Sequence, residues 1–294
     1  MKKALTRVCA ISALAVSIAF AASGTADAES KLPQPDPAGS ILEDRLSEIS
    51  DNGAYFAQRP YTEGASYAVG HIYGPGICTG SVINTSKKNL VITAAHCVAS
   101  MKEGKYWEVT EDTKNLVAKK KVEFLPAFDG TKGGRDPARM PLGQWFVKAI
   151  HLLPSSSNSY VDVALLELHS NDKGQQIQDA IGGGYDIHAP IKATDRIQAS
   201  LVGYPGPAPF NASLQSVCIG DYTYHEGKGN GEISRVDDQE ECWVGGGASG
   251  GPYLTHGKTS DSPKQVLTVL NSNGGGNVPV VIDELLKQAG ATRN

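Results

Sequence analysis

Short apolar runs broken by glycine and proline limit what this chain can fold into more than any other feature. Such runs occur at Ser66–Tyr73, Ile77–Ile83, Asn89–Thr93, Trp145–Leu152, Val161–Leu168, Ile197–Gly203, Leu214–Gly220, Gly231–Val236, Gly251–Leu254 and Gln265–Asn271. Each is four to eight residues long, the length of a strand rather than of a helix. Turn residues such as Gly74-Pro75-Gly76 separate them. Residues 99–145 are charged and irregular, and are expected to hold surface loops with two or three more strands. One segment reads clearly as a helix, Pro279 to Ala289. Pro279 suits its first turn, Val281, Ile282, Leu285 and Leu286 form an apolar stripe, and Gly290 suits its C-terminal cap. The 33 glycines have no period and no heptads recur, which excludes collagen and coiled coil. Apolar content of 40% excludes disorder over most of the length. The pattern predicts an all-β fold of paired antiparallel barrels with a C-terminal helix. The polar stretch 171–195, with Gly182-Gly183-Gly184, reads as the link between a first unit at 61–170 and a second at 196–294.

Residues 1–28 have the layout of a secretory signal peptide: Lys2, Lys3 and Arg7, then a small and apolar run from Val8 to Ala22, then Ala26-Asp27-Ala28. The run of about 15 residues is short of the ~20 that span a bilayer. Cleavage is expected near Ala28, giving a secreted or periplasmic chain with no membrane contact in its mature form. Removing this segment takes the net charge from −4 to −6. With no basic stripe, nucleic acid is excluded as a main partner. Residues 29–60 read as a pro-region, a flexible extension or a strap packed on the domain. Cleavage also removes Cys9 and leaves Cys78, Cys97, Cys218 and Cys242. Four cysteines in an exported chain predict two disulfides, with three pairings open. No C-x-x-C occurs, and the histidines show no paired spacing, so no metal site or cofactor is expected.

Three segments hold residues with chemistry to offer. In Val91-Ile-Thr-Ala-Ala-His-Cys97 a histidine directly follows an apolar strand. In Tyr160-Val-Asp-Val-Ala-Leu-Leu-Glu-Leu168 an aspartate stands alone in an apolar strand, where burial is costly unless a partner compensates it. In Gly245-Gly-Gly-Ala-Ser-Gly-Gly-Pro252 a serine is surrounded by residues that let backbone approach a ligand closely. Their chain order is His, Asp, Ser. Together these motifs resemble the signatures of the chymotrypsin/trypsin-like serine peptidases, most of all their bacterial secreted branch, over roughly residues 61–290. The resemblance implies two antiparallel six-stranded β-barrels with the active site between them. It also implies His96 as general base, Asp162 as its orienting partner, Ser249 as nucleophile, and the N–H groups of Gly247 and Ser249 as the oxyanion hole. A side chain at Gly247 is expected to block that amide. Trp243 and the stretch Ser272-Asn273-Gly274 are implied to touch substrate, a polypeptide, and the protein is expected to be a monomer. The implied disulfides are Cys78–Cys97 and Cys218–Cys242.

The chain departs from the trypsin pattern in two places. Ala248 stands where many relatives carry an aspartate that pairs with a newly freed N-terminus, so activation by that ion pair is not expected. The wall beside Cys242-Trp243-Val244 is apolar, and Asn271 stands where glutamate-specific relatives tend to have histidine. Neither an Arg/Lys nor a Glu preference is supported. Two other readings compete with this one. Gly247-Ala-Ser-Gly-Gly251 also fits the nucleophile elbow of esterases, but that fold orders its residues Ser, acid, His, and Pro252 stands where the elbow's helix would begin. The other is a secreted binding protein of this fold that does no chemistry.

Overall fold

The computed structural model describes residues 46–49, 55–63, 66–157, 161–192, 194–225, 232–235, 245–255, 264–271 and 274–294. The signal-peptide segment, Cys242, Trp243, Ser272 and Asn273 lie outside the described residues. In chain order the strands begin with β1 (Leu46–Ile49), β2 (Tyr55–Ala57), β3 (Val69–Tyr73), β4 (Ile77–Val82), β5 (Leu90–Thr93), β6 (Ser100–Lys102) and β7 (Tyr106–Glu108). Helix α1 (Glu111–Ala118) follows, then β8 (Glu123–Pro126), β9 (Trp145–His151) and β10 (Ala164–Leu168). Helix α2 (Ile177–Ile181) and β11 (Asp186–Ile187) lie in the segment read as a link. The remainder is β12 (Ile197–Gly203), β13 (Ser216–His225), β14 (Glu232–Arg235), β15 (Pro252–Thr255), β16 (Gln265–Asn271), β17 (Gly274–Gly276) and α3 (Val278–Ala289).

Six strands close into an antiparallel barrel in the order β10-β5-β4-β3-β8-β9. On these strands Ile72, Leu90, Ile92, Phe124, Leu165 and Leu166 are fully buried. Closure leaves this barrel without a free sheet edge. The second sheet has nine strands. Within it β13 pairs β12, β12 pairs β15, β15 pairs β16, β16 pairs β17, β17 pairs β14, and β14 returns to β13. The chymotrypsin-like double barrel is thus present, with β1, β2 and β11 added to the second ring. The described residues, all from 46 onward, belong to one compact unit, so the two rings are packed on one another.

The N-terminal strap belongs to this packing. β2 extends β13, with Phe56 opposite Ser216, and the Phe56 ring lies 4.7 Å from that of Phe210. Farther along, the Tyr61 hydroxyl accepts the Gln215 N–H at 3.1 Å, and Arg59 reaches Asp129. At the other end of the chain, α3 buries Val281, Ile282, Leu285 and Leu286, the predicted stripe, and ends on the left-handed Gly290. Lys87 ties this helix to the first barrel by donating to both Ala289 O and Glu167, each at 2.9 Å. Glu167 also accepts from Lys148 and His151. Burial raises its pKa, but the hydrogen bonds from Lys148, Lys87 and His151 outweigh burial and hold it at about 2.

Two expectations change. Residues 99–145 contain helix α1 as well as strands. Thr110 caps it by accepting the Thr113 N–H at 3.2 Å, and Glu111 and Asp112 occupy its first turn. Asp162 is not inside a strand: β10 starts at Ala164. Leaving the ladder frees Asp162 to turn its carboxylate toward a partner outside the sheet.

Candidate active site

β5 ends at Thr93, and the 3-10 turn Ala95–Cys97 carries His96 out of the barrel. Cys97 in that turn is bonded to Cys78 at the start of β4. A bridge closing a loop of this size restricts the unfolded chain by about 3 kcal/mol, and here it fastens the histidine turn to a strand. Asp162, nearly buried, meets His96 twice. One carboxylate oxygen accepts the backbone N–H of His96 at 2.8 Å and the other faces ring Nδ1 at 2.7 Å. A carboxylate only accepts, so Nδ1 carries the proton and Nε2 keeps its lone pair. The backbone bond adds a second point of attachment, so the ring is oriented as well as paired.

The serine loop comes from the second ring. Gly250 donates its N–H to Leu270 O and Leu270 returns one to Gly251 O, both at 2.8 Å, which docks the loop on β16. Gly206 N–H donates to Gly246 O at 2.6 Å. Toward the first barrel, Ser249 O accepts the Thr79 N–H at 2.8 Å and lies 3.7 Å from Cys97 Sγ. Ser249 is therefore tied to the strand and the disulfide that also hold the His96 turn. Among the described residues Ser249 Oγ makes no hydrogen bond. Nucleophile–base hydrogen bonds are often long before substrate binds and tighten with it.

Backbone conformation in the loop accounts for two glycines. Gly247 sits at φ +96°, and a Cβ there would lie 2.6 Å from Tyr204 O and 2.8 Å from Gly206 N. Gly250 sits at φ +79°, and its Cβ would fall on Thr93 Oγ1 and Thr79 O. Both conformations are ones that L side chains rarely adopt. The backbone of the second ring thus imposes a requirement for glycine at Gly247, beside the expected one of keeping its amide open. The N–H groups of Ala248, Gly250 and Gly251 are all engaged, whereas those of Gly247 and Ser249 have no acceptor among the described residues. Two adjacent free donors beside a serine are what a developing oxyanion needs. Ala248 itself is fully buried in the second ring's core with Ala199, Leu201, Phe210 and Tyr253.

The structure thus brings His96 to Asp162, and Ser249 and Gly247 to the strand beside them. Gly274 lies in β17 opposite Asn271, and its carbonyl accepts the Tyr253 hydroxyl at 3.1 Å. Cys218 is disulfide-bonded. Cys78, His96 and Cys97 are the one group of three possible metal ligands clustered within 4.8 Å among the described residues. Two of the three are the sulfurs of the bridge, which leaves no thiolate to bind a cation.

Sequence reasoning missed Thr79, whose hydroxyl joins the two halves of the site, and Gly276, where a Cβ would crowd Val161 and Val163 beside Asp162. Thr79 gave no signal beyond being one of two polar residues, with Ser81, in a buried strand. The run Gly274-Gly275-Gly276 was a visible signal for Gly276: Gly275 and Gly276 leave room for Thr268 and for the Asp162 segment.

No curated protein matches the chain. Among solved structures it is similar to the thermostable serine protease AL20 from an extremophilic microorganism, with 20% identity and a TM-score of 0.46 over 72% of this chain and 82% of that one. It is also similar to the protease Anisep from Arthrobacter nicotinovorans, with 20% identity and a TM-score of 0.48 over 72% of this chain and 87% of that one. Residues 78–258, well over half of the chain and the stretch that holds His96, Asp162 and Ser249, match the trypsin-like peptidase domain, and the chain belongs to that family.

Proposed function

We propose that the protein is an exported serine endopeptidase that cleaves polypeptides through an acyl-enzyme on Ser249. The observation that carries this reading is the double contact of Asp162 with His96, at 2.8 Å to the backbone N–H and 2.7 Å to ring Nδ1. Nε2 is then the only ring position able to take a proton, which is the task of a general base. In the first half-reaction Ser249 Oγ attacks the substrate carbonyl and passes its proton to His96. Asp162 stabilises the imidazolium that forms. The carbonyl oxygen becomes an oxyanion held by the N–H groups of Gly247 and Ser249. One such donor is worth about 3–4 kcal/mol in the transition state of a related reaction. His96 then protonates the leaving amine, and water attacks the ester by the same route in reverse.

The buried Ala248 supports activity without an ion pair to a freed α-amino group. An aspartate there would replace a methyl packed against Gly203 in an apolar cluster. The strand pairing of β2 supports retention of residues 46–60 in the active form, with cleavage near Ala28 alone. No helix among the described residues is long and apolar enough to cross a membrane. Cys218 pairs with Cys242 in this reading, and the enzyme acts as a monomer. The test is labelling of the folded protein, starting at Glu29, with a fluorophosphonate. Labelling that vanishes in Ser249→Ala supports the peptidase. An inert wild-type protein would show instead a binding protein on the same fold.

A further inference from the structure

Thr79 stands one residue beyond Cys78 in β4 and is fully buried. Each of its polar groups reaches outside its own turn of chain. Its N–H donates to Ser249 O at 2.8 Å. Its carbonyl accepts the Thr93 hydroxyl at 2.8 Å, at the end of the strand that leads to His96. Its own hydroxyl donates to Gly247 O at 2.9 Å and accepts the Tyr204 N–H at 3.0 Å. One side chain from the first barrel is thus bonded to two backbone groups of the second.

Those two groups matter because of where they lie. A peptide unit is planar and rigid, so holding its carbonyl holds the whole plane. Gly206 N–H holds Gly246 O, and with it the plane that carries the Gly247 N–H. The Thr79 hydroxyl holds the plane on the other side of Gly247. The Thr79 N–H holds the plane that follows Ser249. Gly247 is the joint between the first two planes, and at φ +96° with no Cβ it has little stiffness of its own. Tyr204, whose N–H is the other partner of the hydroxyl, also presents the carbonyl that closes off the space behind Gly247.

We infer that Thr79 is a positioning residue for the oxyanion hole: its hydroxyl fixes Gly247 against Tyr204, so that the N–H groups of Gly247 and Ser249 stay aimed at the substrate carbonyl. This rests on the peptidase reading above. It assigns to the first barrel a part in transition-state binding, besides the base and its partner. Valine at this position would keep the shape and remove both hydrogen bonds. The donors would remain but lose their anchor. The loss should therefore fall below the 10²- to 10³-fold that follows deletion of a donor outright.

The experiment compares wild-type protein, Thr79→Val and Thr79→Ser for inactivation by a fluorophosphonate, separating the maximal rate from the half-saturating concentration. The labelled fraction at completion gives the amount of folded enzyme, so each rate is expressed per folded molecule. Thr79→Val is expected to lower the maximal rate by about 10- to 100-fold, with the half-saturating concentration changed less than about twofold. Thr79→Ser, which keeps the hydroxyl, is expected to stay within about threefold of wild type. A valine variant as fast as wild type overturns the inference, as does a serine variant as slow as valine. A fall in labelled fraction with no fall in rate per folded molecule also overturns it, because it assigns Thr79 to folding alone. A wild-type protein that does not label at all removes the peptidase reading, and this inference with it.

Discussion

Acid should weaken this fold through His71, well before it reaches the carboxylates. His71 lies in β3 opposite Thr79, is 5% exposed, and packs with Phe128 at 5.0 Å and Tyr204 at 5.8 Å between ring centroids. Its Nδ1 has no hydrogen-bond partner among the described residues. Burial, and then the positive charge of Arg139, lower its pKa from 6.5 to about 4. The folded protein therefore keeps His71 neutral where the unfolded chain takes up a proton. Stability is complete above pH 6.5 and falls as pH drops toward 4. With those two values, linkage gives a loss of about 2.5 kcal/mol between pH 7.5 and pH 4.5. Glu167 acts below this window, since its folded pKa of about 2 costs stability only as pH falls beneath 4.5. The assay is urea unfolding at the two pH values, on Ser249→Ala protein to prevent self-cleavage, with and without His71→Phe. Phenylalanine suits the aromatic surroundings and removes the unpaired nitrogen. It should match or exceed the parent at pH 7.5 and lose about 2.5 kcal/mol less on acidification. If His71→Phe loses as much stability as its parent, at equal denaturant slope, the histidine is not the group responsible and the reasoning fails.

Gly250→Ala should cost about 3 kcal/mol or more, because its Cβ meets Thr93 Oγ1 and Thr79 O from a backbone at φ +79°. A thermal melt and fluorophosphonate labelling check this together, and a variant with wild-type melting and labelling would show that the loop is not held against β5 as described. A form beginning at Glu29 should label fully, whereas one beginning at Tyr61 should be less stable by about 2 kcal/mol or more through loss of Phe56 from Phe210 and of the β2 pairing. Equal urea midpoints for the two forms would count against the strap as part of the fold.

What could be read from the sequence was what is local. His96, Asp162 and Ser249 stand in short motifs whose residue types follow from the chemistry, and helix α3 shows its own stripe and caps. Most strands of both rings were visible as apolar runs, but β8 lay in the stretch 99–145 read as charged and irregular, and β17, three glycines, gave no apolar run. Helix α1 was not visible either, because it buries only Thr113 and so leaves no periodic stripe, although its cap at Thr110 and its acidic first turn were there to see. Asp162 was expected inside a strand because its neighbours Val161, Val163 and Ala164 are apolar. They are buried as predicted, but by packing against β17 through Gly276 and against the barrel, without a ladder at Asp162 itself. The role of Thr79 was out of reach, since its hydroxyl finds Gly247 across 168 positions of chain.

Gly247 marks the boundary between the two kinds of knowledge. That a glycine belongs two residues before Ser249 was legible. Part of the reason was not: local chemistry points to an open amide, and the fold adds the carbonyl of Tyr204 behind the loop. That carbonyl belongs to the residue whose N–H is held by Thr79, and whose ring rests on His71. On the proposed reading the donor geometry of the serine loop is set from the first barrel, through a side-chain hydroxyl that no motif encodes. It follows that a substitution in the β3–β4 face, such as at Thr79, can alter the oxyanion site while leaving all three motifs intact.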